Sequence, residues 1–272
     1  MEEKKKEKLI KRIEEVGREF YQKKILVEAL QKAAASKEKL LEDKIAALKL
    51  FLSCAFMRGR DDALSLRYLD CAHSIIDSNQ NLIFENPGKV IIERSGRKII
   101  GWNINSGNRE NKEENKDKTN KSFLEAYVEE VNREGIKINP ADLILLESVG
   151  KMLSDPSFNI IKFTVDNLAE GKAKEAYSYL SKPMIKDKIV SLFLRDCTAI
   201  FELKPKNKEE FYYLLPVDTW LEKIGEKIWS TKNHKQLKTK MIEETTSPIL
   251  FNQGAWFVGK YSFELLLEEF QK

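Results

Sequence analysis

Two helices joined by a tight turn are predicted by residues 173–194, which read AKEAYSYLSKPMIKDKIVSLFL. Apolar residues at helical spacing lead up to Leu180, and a second apolar run begins at Ile189. The residues between them include Pro183 and three lysines. We interpret this middle part as the turn of a helix, turn, helix unit.

More helices are predicted after this unit. A polar connection at residues 204–209 is followed by LLPVDTW at residues 214–220, and Leu221, Ile224 and Ile228 then recur at helical spacing. The segment SPILFNQGAWFVG at residues 247–259 is apolar and rich in small residues. We interpret it as a further helix.

The rest of the chain divides into a helical and a mixed part. Residues 2–77 have a helical pattern, with a nearly apolar helix at residues 46–57 and a turn containing Arg58 and Arg60. Three short β-rich runs at residues 82–102 predict a small antiparallel sheet. Residues 106–121 are almost entirely Asn, Lys, Glu and Asp, which predicts a flexible loop. Helices resume at residue 122, with a start at Pro140.

These patterns predict a mainly α protein. Charged residues make up 33% of the chain, which has only 12 Gly and 7 Pro, a composition that favours helices with solvated faces. We expect an N-terminal helical region with a small sheet (1–105), a flexible polar loop (106–121) and a helical C-terminal region (122–272). The two halves form either one composite fold or separate modules, and the sequence leaves both open.

Composition also limits the classes of function. No apolar run reaches the length of a membrane helix and no signal peptide is evident, so we expect a cytoplasmic protein, associated with the nucleoid in a prokaryote. The net charge of +4 is compatible with a polyanionic partner, but abundant Lys beside Glu is also typical of surface ion-pair networks. Cys54, Cys71 and Cys197 are predicted to be core residues, and neither a metal site nor a cofactor is expected.

The turn and the LLPVDTW segment together resemble the helix-hairpin-helix DNA glycosylases. That family carries a Leu-Pro-Gly-Val-Gly-x-Lys-x-Ala hairpin, followed by a Pro-Val-Asp or Ala-Val-Asp motif. The resemblance implies that Lys188 is the catalytic lysine and that Asp218, 30 positions later, is the catalytic aspartate. This long separation is closest to the archaeal 8-oxoguanine glycosylase branch. The endonuclease III branch is disfavoured, because the four cysteines of its iron–sulfur centre have no counterpart after Cys197.

The hairpin departs from the family pattern at both of its glycines. Met184 and Lys186 occupy these positions, where the family's backbone N–H groups approach a DNA phosphate. Lys182 and Lys186 are candidates to supply positive charge to the DNA backbone instead, together with Arg58 and Arg60.

The resemblance implies a bifunctional DNA glycosylase/AP lyase of base-excision repair, acting on damaged double-stranded DNA as a monomer without a cofactor. Lys188 would displace an oxidised purine, with 8-oxoguanine as the first candidate, and form a Schiff base with the sugar. The base-pocket candidates are Gln253, Trp256, Phe251 and Trp220.

Each of these residues also has a structural explanation. A lone Lys is usually solvated, Asp218 is a good N-cap, and the aromatic residues suit a core. The alternative functions are a non-catalytic helical module that binds nucleic acid or a protein, and a structural protein unrelated to DNA.

Overall fold

The computed structural model describes residues 3–33, 36–57, 62–95, 98–105, 121–155 and 157–264. It confirms a mainly helical fold with one small antiparallel sheet. Arg58, Arg60 and nearly all of the predicted flexible loop lie outside the described residues. No helix within the described ranges combines the length and the apolar character needed to cross a bilayer.

Helices and a two-stranded sheet make up the part of the chain before residue 106. In chain order the elements are α1 (Glu3–Val16), a π-helix (Gly17–Leu26), α2 (Val27–Lys32), α3 (Lys37–Glu42), α4 (Lys44–Ala55), α5 (Asp62–Ser78), α6 (Leu82–Glu85), β1 (Lys89–Ser95) and β2 (Lys98–Asn105). This π-helix spans ten residues, whereas π geometry usually occupies a single turn.

The part of the chain from residue 121 onward is helical. Its elements are α7 (Phe123–Arg133), α8 (Pro140–Met152), α9 (Ile160–Ala169), α10 (Ala173–Leu180), α11 (Asp187–Ile200), α12 (Phe211–Leu214), α13 (Thr219–Trp229), α14 (His234–Glu244) and α15 (Pro248–Tyr261). Side-chain caps mark several starts: Ser122 forms a capping box before α7, and the Asn139 side chain accepts a hydrogen bond before Pro140.

The sheet is smaller than the three predicted runs. Strands β1 and β2 form an antiparallel hairpin that pairs Lys89 with Asn105. The prediction of a strand at residues 82–84 was wrong, because these residues form one helical turn closed by hydrogen bonds to the Asn81 carbonyl. Ile83 is buried within this helical turn, so the apolar character of residues 82–84 reflects burial and not an extended backbone.

The two halves of the chain share one hydrophobic core. Its buried residues come from both sides of the 106–120 segment, and Phe51 of α4 packs edge-on against Phe193 of α11 with ring centroids 4.9 Å apart. Cys54, Cys71 and Cys197 are buried free thiols, as predicted. Residues from both sides of that segment therefore pack in one cluster within the described ranges.

A second cluster ties the N-terminal helix to the C-terminal helix. Residues of α1 pack with residues of α13, α14 and α15 around the buried Phe251. This packing depends on two glycines: a Cβ at Gly254 would lie 1.9 Å from the Ile13 carbonyl oxygen, and a Cβ at Gly17 would lie 2.1 Å from the Leu250 carbonyl oxygen. The backbones of α1 and the π-helix thus approach that of α15 more closely than any side chain at these positions would allow.

Candidate functional site

A cleft of about 580 Å³ opens between the two halves of the chain. One wall comes from the π-helix, α2, α4 and α5, and the other comes from α11, α13 and α15. Its volume lies within the range of about 300–1,000 Å³ that is usual for small-molecule sites. The cleft is referred to below as the central cleft.

Lys188 lines the central cleft from the first turn of α11. Leu192 and Arg195 line it from the next two turns, because positions four and seven residues apart share one helix face. The Lys188 side chain is half-buried, and its amine has no hydrogen-bond or ion-pair partner within the described ranges. This amine is therefore not committed to a structural contact there.

Asp218 lines the same cleft and caps α13. Its Oδ1 accepts hydrogen bonds from the backbone N–H groups of Trp220 (3.1 Å) and Leu221 (2.9 Å). The second carboxylate oxygen has no partner among the residues that the structure describes. The capping role therefore uses one oxygen and leaves the other for a ligand.

The turn before α11 is a hairpin in which Met184 takes the conformation that favours glycine. Lys182 and Ile185 exchange two backbone hydrogen bonds, at 3.1 and 2.9 Å, and Met184 between them has φ of +66°. Pro183 followed by a residue with positive φ is typical of a type II turn. The chain therefore makes a tight turn here without a glycine.

Lys186 occupies the second glycine position of the motif in an extended conformation, with φ of −108°, that any residue adopts. Its side chain is exposed and lies outside the lining of the central cleft. The Lys182 amine lies 5.0 Å from the Tyr179 ring centroid. Both lysines thus lie at the hairpin and not in the cleft.

The four base-pocket candidates fall into two pairs. Trp220 and Trp256 line the central cleft and are partly exposed. Phe251 and Gln253 are fully buried and do not line the cleft: Phe251 packs against Trp229, and Gln253 bonds to polar side chains behind the cleft wall. In this conformation these two side chains offer no surface to a base.

A buried polar network forms the base of the central cleft around Arg195 and Asp196. Arg195 is 1% exposed; its Nε donates to Asp196 Oδ1 (2.9 Å) and its Nη1 donates to Asn252 Oδ1 (2.7 Å). The Tyr21 hydroxyl donates to Asp196 Oδ2 (3.0 Å), and Gln253 Nε2 lies 3.4 Å from Asp196 Oδ1. The network joins the π-helix, α11 and α15.

Burial governs the ionisation of this network. Burial raises the pKa of Tyr21 well above its usual value, so its phenol stays protonated and can donate to Asp196. Burial also raises the pKa of Asp196, and the Arg195 guanidinium opposes that shift. Burial acts to lower the pKa of Arg195, but the charge and hydrogen bond of Asp196 together with smaller contributions from its neighbours raise the pKa overall, so the guanidinium stays charged.

The sequence interpretation missed this network and a contact near the cleft mouth. There Lys260 of α15 forms an ion pair with Asp62 of α5, which links the two walls. One signal was visible: Arg195 and Asp196 interrupt an apolar helical run, and a charged pair in such a run is usually buried together.

The described residues contain no group of three or more His, Cys, Asp or Glu side chains that could hold a metal ion. Comparisons of the chain with protein-family models, with curated proteins and with solved structures returned no significant match.

Proposed function

We propose that this protein is a bifunctional DNA glycosylase/AP lyase that acts on double-stranded DNA containing an oxidised purine, with 8-oxoguanine as the first candidate. One observation carries the proposal: Lys188 and Asp218, far apart in the chain, line one cleft from the first residues of two helices. The hairpin before Lys188 supports it, because Met184 has the backbone conformation expected for glycine in the motif.

The reaction needs a target nucleotide outside the duplex, because its anomeric carbon cannot be reached within the stack. The Lys188 nitrogen bonds to that carbon as the bond from carbon to base breaks, and the base keeps the bonding electrons and is then protonated. The ring oxygen next leaves the carbon and takes the proton that Asp218 accepted from the amine, which gives a Schiff base. Loss of a proton from the neighbouring carbon then expels the 3′ phosphate and cuts the strand.

Asp218 has a defined part in this chemistry. Its free carboxylate oxygen accepts the proton that the attacking amine releases, and its charge stabilises the positive sugar ring. The oxygen bound to the start of α13 holds the carboxylate in place. Trp220 and Trp256 offer ring surfaces to the extruded nucleotide.

Borohydride trapping on duplex DNA that contains 8-oxoguanine tests the lysine. We expect the wild-type protein to form a covalent adduct and Lys188→Gln to form none, while its DNA affinity falls only slightly. Lys186→Gln is the matched control, since it removes the same charge two residues away but outside the cleft. Equal trapping by Lys188→Gln and the wild type would refute the assignment of Lys188.

Single-turnover base release tests the aspartate. Asp218→Asn keeps a side-chain cap, so the thermal midpoint should change little, while base release should slow by roughly a hundredfold or more. A fully active variant would show that Asp218 is only a cap. Salt-dependent DNA binding without trapping or base release by the wild type would favour the non-catalytic module instead.

A further inference from the structure

Three lysines lie over aromatic rings along the edge of the central cleft. The lysines belong to the π-helix, α13 and α15, and the rings belong to the same helices and to the residues that follow α15. We call this surface the aromatic rim. It consists of Phe20, Lys24, Trp220, Lys223, Trp256, Phe257, Lys260, Tyr261 and Phe263.

One end of the rim is a row of rings on the π-helix and α15. The rings of Phe20 and Phe257 stack with centroids 5.4 Å apart, and Tyr261 continues the row 4.8 Å from Phe257. The Lys24 amine lies 5.0 Å from the Phe20 centroid, and the Lys260 amine lies 4.8 Å from that of Tyr261. The row of three rings therefore has a lysine amine at each end.

The other end of the rim encloses a hollow of about 360 Å³. Trp220 and Phe263 line it with ring centroids 5.8 Å apart, and the Lys223 amine lies 4.4 Å from the Trp220 centroid. Gly259 also lines the hollow, where a Cβ would lie 2.6 Å from the Cβ of Trp220. The glycine therefore keeps the Trp220 ring at its present position.

The rim is open to solvent and continuous with the central cleft. Phe20 is 40% exposed and Tyr261 is 54% exposed, which is unusual for large aromatic residues lying side by side. Trp220, Lys260 and Tyr261 line both the hollow and the central cleft. A strand with one nucleotide in the cleft could thus continue along the rim.

We propose that the aromatic rim binds unpaired nucleotides of a single DNA strand, with bases stacked on its rings and phosphates paired with Lys24 and Lys223. Stacking on aromatic side chains beside lysines is the usual way in which proteins hold single strands without reading sequence. A duplex keeps its base faces covered, so it cannot use these rings. A helical protein partner would need an apolar groove, whereas the amines of Lys24, Lys223 and Lys260 lie among these rings. The rim therefore holds the strand next to the extruded nucleotide where that strand is unpaired, and this placement rests on the proposed function.

Binding of fluorescein-labelled oligothymidylate by the full chain tests this proposal. Oligothymidylate has no lesion and no secondary structure, so the measurement is independent of the chemistry at Lys188. We expect anisotropy titrations to show tighter binding of oligothymidylate than of an undamaged duplex. Tyr261→Leu and Phe20→Leu should each raise the Kd about fivefold or more. Tyr261→Phe keeps the ring and should bind like the wild type.

Lys223→Gln should reduce the slope of log Kd against log salt by about 0.7, the value for one phosphate contact on a single strand. Ile91→Ala, a change at an exposed residue of the β1–β2 hairpin, controls for general surface effects. An unchanged Kd in both leucine variants would overturn the proposal. So would equal affinity of the wild type for single strand and duplex. Sedimentation showing that the leucine changes dissociate a dimer would assign the rim to contacts between copies of the chain.

Discussion

Replacing Asp196 by Asn is predicted to destabilise the protein far more than the loss of an ordinary salt bridge. Asp196 is 6% exposed and is the counter-charge for Arg195, which is almost fully buried. The amide of Asn keeps the size of the side chain but leaves the guanidinium without a negative partner. A buried charge whose partner is removed cannot be hydrated again, so the folded state is destabilised relative to the unfolded chain.

The expected loss is about 3–5 kcal/mol in the free energy of unfolding, which is the usual result of breaking a buried ion pair. Because Asn still offers its oxygen to Tyr21 and Gln253, we expect the lower end of that range. For a chain of this size 1 kcal/mol corresponds to about 2–4 °C in Tm. Asp196→Asn should therefore lower the Tm by about 6–12 °C.

Asp166→Asn is the matched control. Asp166 pairs with Lys162 at 2.7 Å one helical turn away, but both side chains are more than half exposed. Such a pair contributes at most about 1 kcal/mol. Thermal unfolding followed by circular dichroism should separate the two variants clearly. Similar Tm values for both would refute the conclusion that the Arg195–Asp196 pair holds the base of the cleft together.

Two further predictions concern packing and pH. Gly254→Ala should cost about 2 kcal/mol or more in urea unfolding, because its methyl group would meet backbone atoms of α1. Gly225→Ala should cost clearly less, because its methyl group would meet the end of the Leu237 side chain and no backbone atom closer than 3.4 Å, and alanine gains helix propensity; equal losses would contradict this reasoning. Burial first, and then the charge of Lys49, lower the pKa of His73 to about 4. The unfolded chain therefore binds a proton at this histidine more readily than the folded protein does. The free energy of unfolding should accordingly fall by about 3 kcal/mol as the pH drops from about 6.5 to about 4. His73→Leu should lose most of that dependence when unfolding is measured at both ends of the range, and an unchanged pH dependence would exclude His73 as its source.

Local signals predicted most of the helices. The capping residues Ser122 and Asn139 act within three residues of themselves, so the starts of α7 and α8 were readable from the sequence. The start of α9 at Ile160 has a local signal of the same kind, because the Asn159 side chain caps it. Helix α14 was not predicted, since its residues are mostly polar and only Leu237 and Met241 are buried.

Long-range contacts explain the parts of the site that were not predicted. The family resemblance suggested that Gln253 reads a base, but its partners are Gln22 and Asp196. Gln22 is 231 positions away, and no local pattern indicates which distant residue will meet a polar side chain. The positive φ of Met184 was not predicted either, because no glycine marks this turn.

The N-terminal half shows how local sequence signals and long-range contacts together determine the cleft. The motif residues Lys188 and Asp218 come from the C-terminal part, but much of the opposite wall of the cleft comes from helices that no motif identified. Tyr21 links the two, because it bonds to Asp196 on the helix of Lys188 and packs edge-on against Trp256 at 5.6 Å. It is held there by the close contact of α1 and the π-helix with α15, which requires Gly17 and Gly254. The cleft that Lys188 lines thus depends on close contacts at Gly17 and Gly254, and the N-terminal half supplies one of its walls.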